Sequence, residues 1–192
     1  MFWRLFPLTV VGIVAAAGVA RSTTVIPPTF DALVSGASTI FVGQVINTRS
    51  DWETTRTGRS IVTLVTFRVE DVWKGHLGAV TQLEFMGGEI GDLGMRVEGI
   101  PVFRLGQRDV LFVGSTVRAV SPLVGFMHGR MRVERDTLSG VDRVRTFDGR
   151  ALGSVAQIGA QRAAPSLASI APMRLTDLAS AVRSRIGAAR QR

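Results

Sequence analysis

Four carboxylates, Glu84, Glu89, Asp92 and Glu98, gather around one glycine-rich stretch of this 192-residue chain. Paired carboxylates across a cleft are the usual apparatus of general acid–base hydrolysis, and a cluster of them is the usual cradle for calcium. Their spacing matches no EF-hand loop, and Arg96 and Arg104 stand near enough to neutralise them, so solvated loop charge is the default expectation and a carboxylate-dependent hydrolase the alternative. The two histidines offer little more: His76 sits in a turn-like stretch beside Lys74 and His128 in another beside Arg130. A neighbouring cation opposes imidazole protonation, and both read as solvent-exposed turn residues rather than metal ligands or catalytic bases. There is no HExxH, no GxSxG and no Walker lysine. The absence of cysteine removes disulfides, thiolate metal sites and a cysteine nucleophile together. The expectation is a protein without cofactor or metal that is not an enzyme.

Binding is the better-supported chemistry. Gly87 to Gln107 separates two apolar runs and places Gly87, Gly88, Gly91, Gly94 and Gly99 within thirteen residues. Connections longer than about 12 residues are uncommon in compact domains and tend to carry function. The partner-contacting candidates are Gly87, Gly88, Glu89, Arg96, Phe103 and Arg104. The glycines lack the GxGxxG spacing and following helix of a phosphate cradle. Trp73 and Phe103 are possible anchors, although aromatic residues at such positions read first as core.

A net charge of +8 suggests a polyanion until it is located. From Arg21 to His128 there are 10 basic and 10 acidic residues, whereas Gly129 to Arg192 holds 12 against 5. In that last third Arg130 and Arg132 share one strand face, and Arg143 and Arg145 share one on the next. The alternative function is therefore a polyanion or membrane-surface binder acting through Arg130, Arg132, Arg143 and Arg145. Against it, Glu134 is placed to pair with Arg143 across the hairpin, and nucleic acid is not the expected partner.

The elements that must position these groups are mostly strands. Thr29 caps a short helix through Phe30, Leu33 and Val34, and Thr39 to Arg49 reads as a strand with Phe41 and Val45 on one face. Ser50 to Gly58 reads as a polar connection. Ser60 to Trp73 alternates with period two until Val72 falls out of phase with Val69, which predicts a bulge near Glu70-Asp71 that re-aims Val72 or Trp73 to the core. Val80 to Met86 follows with Leu83 and Phe85 inward. Asp109 to Val113 is apolar on both faces, the mark of a central strand. Val117 to Val124, Gly129 to Arg135 and Val141 to Phe147 continue as shorter strands.

The flanks differ in kind. Residues 1–20 have the basic start, apolar middle and small-residue end of a secretory signal peptide, with Ala20 favoured over Ala17 for cleavage. Their apolar run of 15 residues is shorter than the ~20 a spanning helix needs, and no later segment spans after signal removal. The organisation expected is a signal at 1–20, a β-barrel domain at 21–150, a flexible linker at 151–173, and a C-terminal helix with a basic tail at 174–192. That helix carries Leu175, Leu178, Val182 and Ile186 at helical spacing, with Thr176 as its cap.

Six or seven short strands with one early and one late helix predict a mainly β fold, a small, partly closed antiparallel OB-like barrel. Phe41-Val42-Gly43-Gln44-Val45, Phe67 through Gly75, Gly87-Gly88 and Pro101-Val102-Phe103 leading into Val110 to Val113 together resemble bacterial exported proteins with a netrin-like, TIMP-like OB domain over about Thr29 to Phe147. The resemblance implies an exported (periplasmic, cell-envelope or secreted) binding or accessory protein that contacts a protein partner, with an exported peptidase as one candidate. Animal inhibitors of that superfamily chelate zinc through an N-terminal cysteine, which this chain lacks.

Overall fold

The computed structural model describes residues 26–55, 58–114, 120–160 and 171–191. The expected signal segment, the first residues of the strand expected at Val117 to Val124, and the middle of the expected linker (161–170) lie outside the described residues.

A short helix α1 (Phe30–Gly36) starts where Thr29 accepts a hydrogen bond from the Ala32 amide at 3.2 Å. It leads into two long antiparallel strands, β1 (Thr39–Thr55) and β2 (Gly58–Lys74). The stretch expected to be a polar connection is therefore mostly strand: Ser50 to Thr55 pair with Gly58 to Thr63. Beyond Gln44, among the described residues no strand but β2 pairs with β1, and Asp51, Trp52 and Thr54 are exposed, so this end of β1 carries mostly polar side chains without ceasing to be a strand.

The chain continues through β3 (Val80–Met86), a small hairpin of β4 (Gly88–Ile90) and β5 (Leu93–Met95), then β6 (Arg108–Val113), β7 (Arg130–Arg135) and β8 (Asp142–Thr146). The main sheet is antiparallel in the order β3-β2-β1-β6-β7-β8, and it is not closed, with β3 and β8 as its edges. One end of the gap between β3 and β6 is bridged. There the Met86 amide donates to Val120, Leu123 bridges Val113, and the Val124 amide donates to Phe112. The described part of the strand expected at Val117 to Val124 is this bridge rather than a strand. Pro122 has no amide for a ladder, and only its carbonyl is used, by Gly114.

Both faces of the sheet are buried, as β6 most clearly requires. Val110 and Phe112 join Ile40, Val42, Met131, Val144 and both helices in one core, while Leu111 and Val113 join Phe41, Val45, Val65, Phe67, Leu83 and Phe85 in the other. The second helix, α2 (Leu175–Arg190), supplies Leu178, Ala179 and Val182 to the first core, so it docks on the sheet. Its N-cap is Arg174 and not the expected Thr176, and it extends past Ile186, held by Arg183 to Asp71 (3.1 Å) and Arg185 to Asp31 (2.6 Å). Within 151–173, Leu152 is buried in the same core, Ala151 bridges Arg145, and the Met173 amide donates to Leu152.

The two cores meet correctly only because β2 changes phase. Val42 faces Asp71 and Gly43 faces Val69, leaving Glu70 as the extra residue of a bulge, where the alternation predicted one. As a result Val72 turns to the core of Phe67 and Trp73 to the core of the helices. The Glu70 carboxylate uses its position to bind Arg108 (2.7 Å), which also reaches Asp142 (3.0 Å). Deleting Glu70 should reverse Val72 and Trp73 and cost about 3–5 kcal/mol, the scale of losing a buried tryptophan. Glu70→Ala should cost about 1 kcal/mol or less, since it removes only a partly exposed ion pair. Urea unfolding of the two variants checks this, and similar losses in both would contradict the bulge as the controlling feature.

Candidate functional site

The Gly87–Gln107 excursion begins where β3 ends, on two hydroxyls that the ribbon presents side by side. Ser50 of β1 and Thr63 of β2 are cross-strand partners whose hydroxyls lie 3.4 Å apart. The Thr63 hydroxyl donates to the Gly87 carbonyl at 2.6 Å, and Ser50 accepts from the Glu89 amide at 3.2 Å. A Cβ on Gly88 would overlap both hydroxyls, and Gly87 and Gly88 adopt φ of 101° and 142°. Glycine is required at this pair because the backbone must turn and pass within hydrogen-bonding reach of the ribbon. The excursion then forms the β4–β5 hairpin, so a stretch that reads as loop contains its own two-stranded sheet.

The second half returns across the face of the sheet. Phe103 is buried edge-to-face on Phe67 (5.4 Å between centroids) and tilted against Phe85 (4.9 Å), which makes it core, as aromatic residues there are first expected to be. Gly106 and Gln107 tie the end of the excursion to Val45 through two backbone hydrogen bonds. The deepest tie is Arg130. Its side chain is 2% exposed, binds both oxygens of the fully buried Asp109 (2.9 and 3.2 Å), donates to the Val102 carbonyl (2.8 Å) and lies over the Phe103 ring at 4.3 Å.

Between the hairpin, the returning segment and the ribbon lies a cleft of about 580 Å³. Its apolar lining comes from Val65, Phe85, Ile100 and Phe103, and its polar lining from Thr48, Ser50 and Thr63. Five of the six partner-contacting candidates, Gly87, Gly88, Glu89, Arg96 and Phe103, line this one cleft. Arg104 does not; it points into an adjoining hollow of about 230 Å³ that shares Ile100, Pro101 and Val102 as a common wall. The ribbon hydroxyls were not legible as site residues. Their only signal was that Thr48, Ser50 and Thr63 fall on one face once the strand pairing is known.

The basic candidates do not form one open face. Arg130 is saturated and buried, the opposite of a polyanion contact, because its strand position turns it under Phe103. Arg143 donates to the Pro172 carbonyl (2.9 Å) and approaches Asp136. Although Glu134 and Arg143 are cross-strand partners, Glu134 pairs with Arg145 at 2.6 Å. Among the described residues the buried Nε of Arg132 has no hydrogen-bond partner.

The carboxylates are spread out. Glu89 lines the cleft, whereas Glu84 lies on the other face of β3 from Phe85, its pKa raised by burial and by the Glu53 charge. Among the described residues no three acidic or histidine side chains are placed to share a cation. His128 is not a solvent-exposed turn residue: it is half-buried in the 3-10 turn Phe126–Gly129, edge-to-face with Phe147 at 5.0 Å.

No protein-family model, curated protein or solved structure matches this chain.

Two outcomes follow from these contacts. Asp109→Ala should lose about 3–5 kcal/mol in urea unfolding, since it leaves the Arg130 guanidinium buried without a counter-charge. Asp109→Leu combined with Arg130→Met should recover much of that loss; a double variant as unstable as the single one would show that the pair is not acting as a unit. Burial lowers the His128 pKa, Asp148 opposes this and Arg150 adds to it. The unfolded chain then binds the proton more readily, so this contribution to stability is complete above about pH 6.5 and is lost as pH falls. Unfolding free energy measured from pH 7 to 5 should decline, and His128→Phe should flatten the decline; an unchanged slope would assign it to other groups.

Proposed function

We propose that this chain is an exported, non-catalytic binding protein that seats an extended segment of a protein partner in the cleft beside Gly87–Phe103. The cleft itself carries the reading: an apolar floor of Val65, Phe85, Ile100 and Phe103 with the exposed Val102 at its edge. On the same excursion Leu93, Val102 and Leu105 are 60%, 72% and 67% exposed, although water contact gives them no return. A polypeptide is the favoured occupant because, among the described residues, β5 pairs only with β4, leaving β5 an outer edge that a further extended segment can use. The N-terminal layout supports export, and the netrin-like resemblance makes an exported peptidase one candidate partner. Contact would be made by the excursion, not by a zinc-chelating N-terminal cysteine. The local pairing of Arg130, Arg143 and Arg145 weighs against the polyanion alternative, and the face taken by Glu84 weighs against paired-carboxylate hydrolysis.

Display selection of random peptides on the whole chain should enrich apolar sequences. Their affinity should fall about tenfold in Val102→Asp, the scale of one lost apolar contact, while the folded state is retained. Raising salt from about 0.05 to 0.5 M should change affinity little, where a contact made by arginines on phosphates would fall by orders of magnitude. Selected peptides that bind Val102→Asp equally well, or whose binding collapses with salt, would overturn the cleft as the site.

A further inference from the structure

The hollow next to the cleft has charge without a partner. Arg104, Arg130 and Arg132 all line it, together with Gln107, Met127 and Phe147, and no carboxylate does. The nearby Asp109 is already held through both oxygens by Arg130. Gln107 is likewise engaged, its side-chain oxygen accepting from the Arg104 amide at 3.3 Å. Among the described residues Arg104 and Arg132 make no ion pair, and the buried Arg132 Nε has no hydrogen-bond acceptor.

Arg132 is the more telling of the two. Its Nε is the one buried side-chain nitrogen or oxygen among the described residues with no hydrogen-bond partner. Leaving such a donor unsatisfied is costly, more so when it is charged, and in native proteins it calls for an explanation. Moreover, Arg132 stands directly opposite Arg145 in the β7–β8 ladder, where like charges repel. Glu134 relieves Arg145 by a direct pair, whereas among the described residues Arg132 has only the field of Asp109, its partner across the β6–β7 ladder, and no hydrogen bond at its Nε.

We infer that the hollow is a binding site for a compact oxyanion, a carboxylate or phosphate group, that accepts from the buried Nε of Arg132 and is closed over by Arg104. Guanidinium groups suit this ligand because their planar array of donors meets two oxygens of one anion at once. A volume of about 230 Å³ admits such a group and excludes a folded element. Arg130 contributes field without contact, being fixed on Asp109. The site stands independently of the peptide reading, because it shares only the Ile100–Val102 wall with the cleft.

Thermal unfolding of the whole chain in inorganic phosphate and, separately, malonate, against sodium chloride of equal ionic strength, tests it. At least one oxyanion should raise the midpoint saturably, with an apparent Kd near or below about 1 mM; phosphate alone, malonate alone or both would distinguish the phosphate from the carboxylate source. Arg132→Met should weaken this about tenfold or more, in line with losing a charge-assisted bond. Arg104→Gln, a change in the exposed part of the excursion, should weaken binding while leaving the unliganded midpoint unchanged. Chloride acting as well as both oxyanions, or full binding by Arg132→Met, would overturn the site.

Discussion

One buried ion pair sets the position of the surface that binding would use. Asp109 of β6 and Arg130 of β7 lie among Phe103, Leu111 and the rest of an apolar layer, where neither charge has water. Burial pushes the Asp109 carboxyl above its ordinary value even with Arg130 pulling it down, so the pair is an expensive arrangement rather than a source of net stability. Its effect is directional. Only one placement of the excursion puts the Val102 carbonyl on the remaining guanidinium nitrogen and the Phe103 ring beneath it, and that placement defines one wall of the cleft.

The same constraint explains why the excursion is both elaborate and firm. The sheet needs cover on two faces, and both helices lie on one of them. The other face is covered by Phe103, Ile100 and Leu123, all from irregular segments. The candidate binding segment is thus also the roof of a core, anchored at one end by the Ser50 and Thr63 hydroxyls and at the other by Val45. A surface held in this way loses little conformational entropy when a partner arrives, which favours recognition by a preformed shape.

Charge shows how far composition can mislead. The arginine excess of the last third is largely spent within the fold, on Asp31, Asp71, Glu134, Asp136, Asp142 and Asp148. Two of these acids, Asp31 and Asp71, belong to the chain's balanced first part, so a count by segment could not reveal all of the neutralisation. What remains open is local, in the hollow beside the cleft, and is smaller and more specific than a basic stripe.

Strand alternation made much of the architecture legible. The Val80–Met86 strand, the two-faced Asp109–Val113 strand, the Thr29 cap and the phase slip at Glu70 all follow from side-chain periodicity, a local property of the chain. The polar end of the ribbon was not legible, because a strand exposed on both faces has no hydrophobic period to show. Gly87 to Gln107 was likewise recognisable as special from its glycines and length, and five of its six candidates do share one cleft. Whether Arg130 faced water or the core, whether Arg104 joined Phe103 or Arg132, and which acid neutralised which arginine depended on residues far apart in the chain meeting across strands. By itself the sequence determined the amphipathic and two-faced strands, the phase slip in β2 and the place where the backbone had to be glycine, since these are set by neighbours along the chain. Burial and pairing of the charges were decided only by the tertiary structure, because electrostatic energy depends on distance and on exclusion of water, and neither is written in residue order.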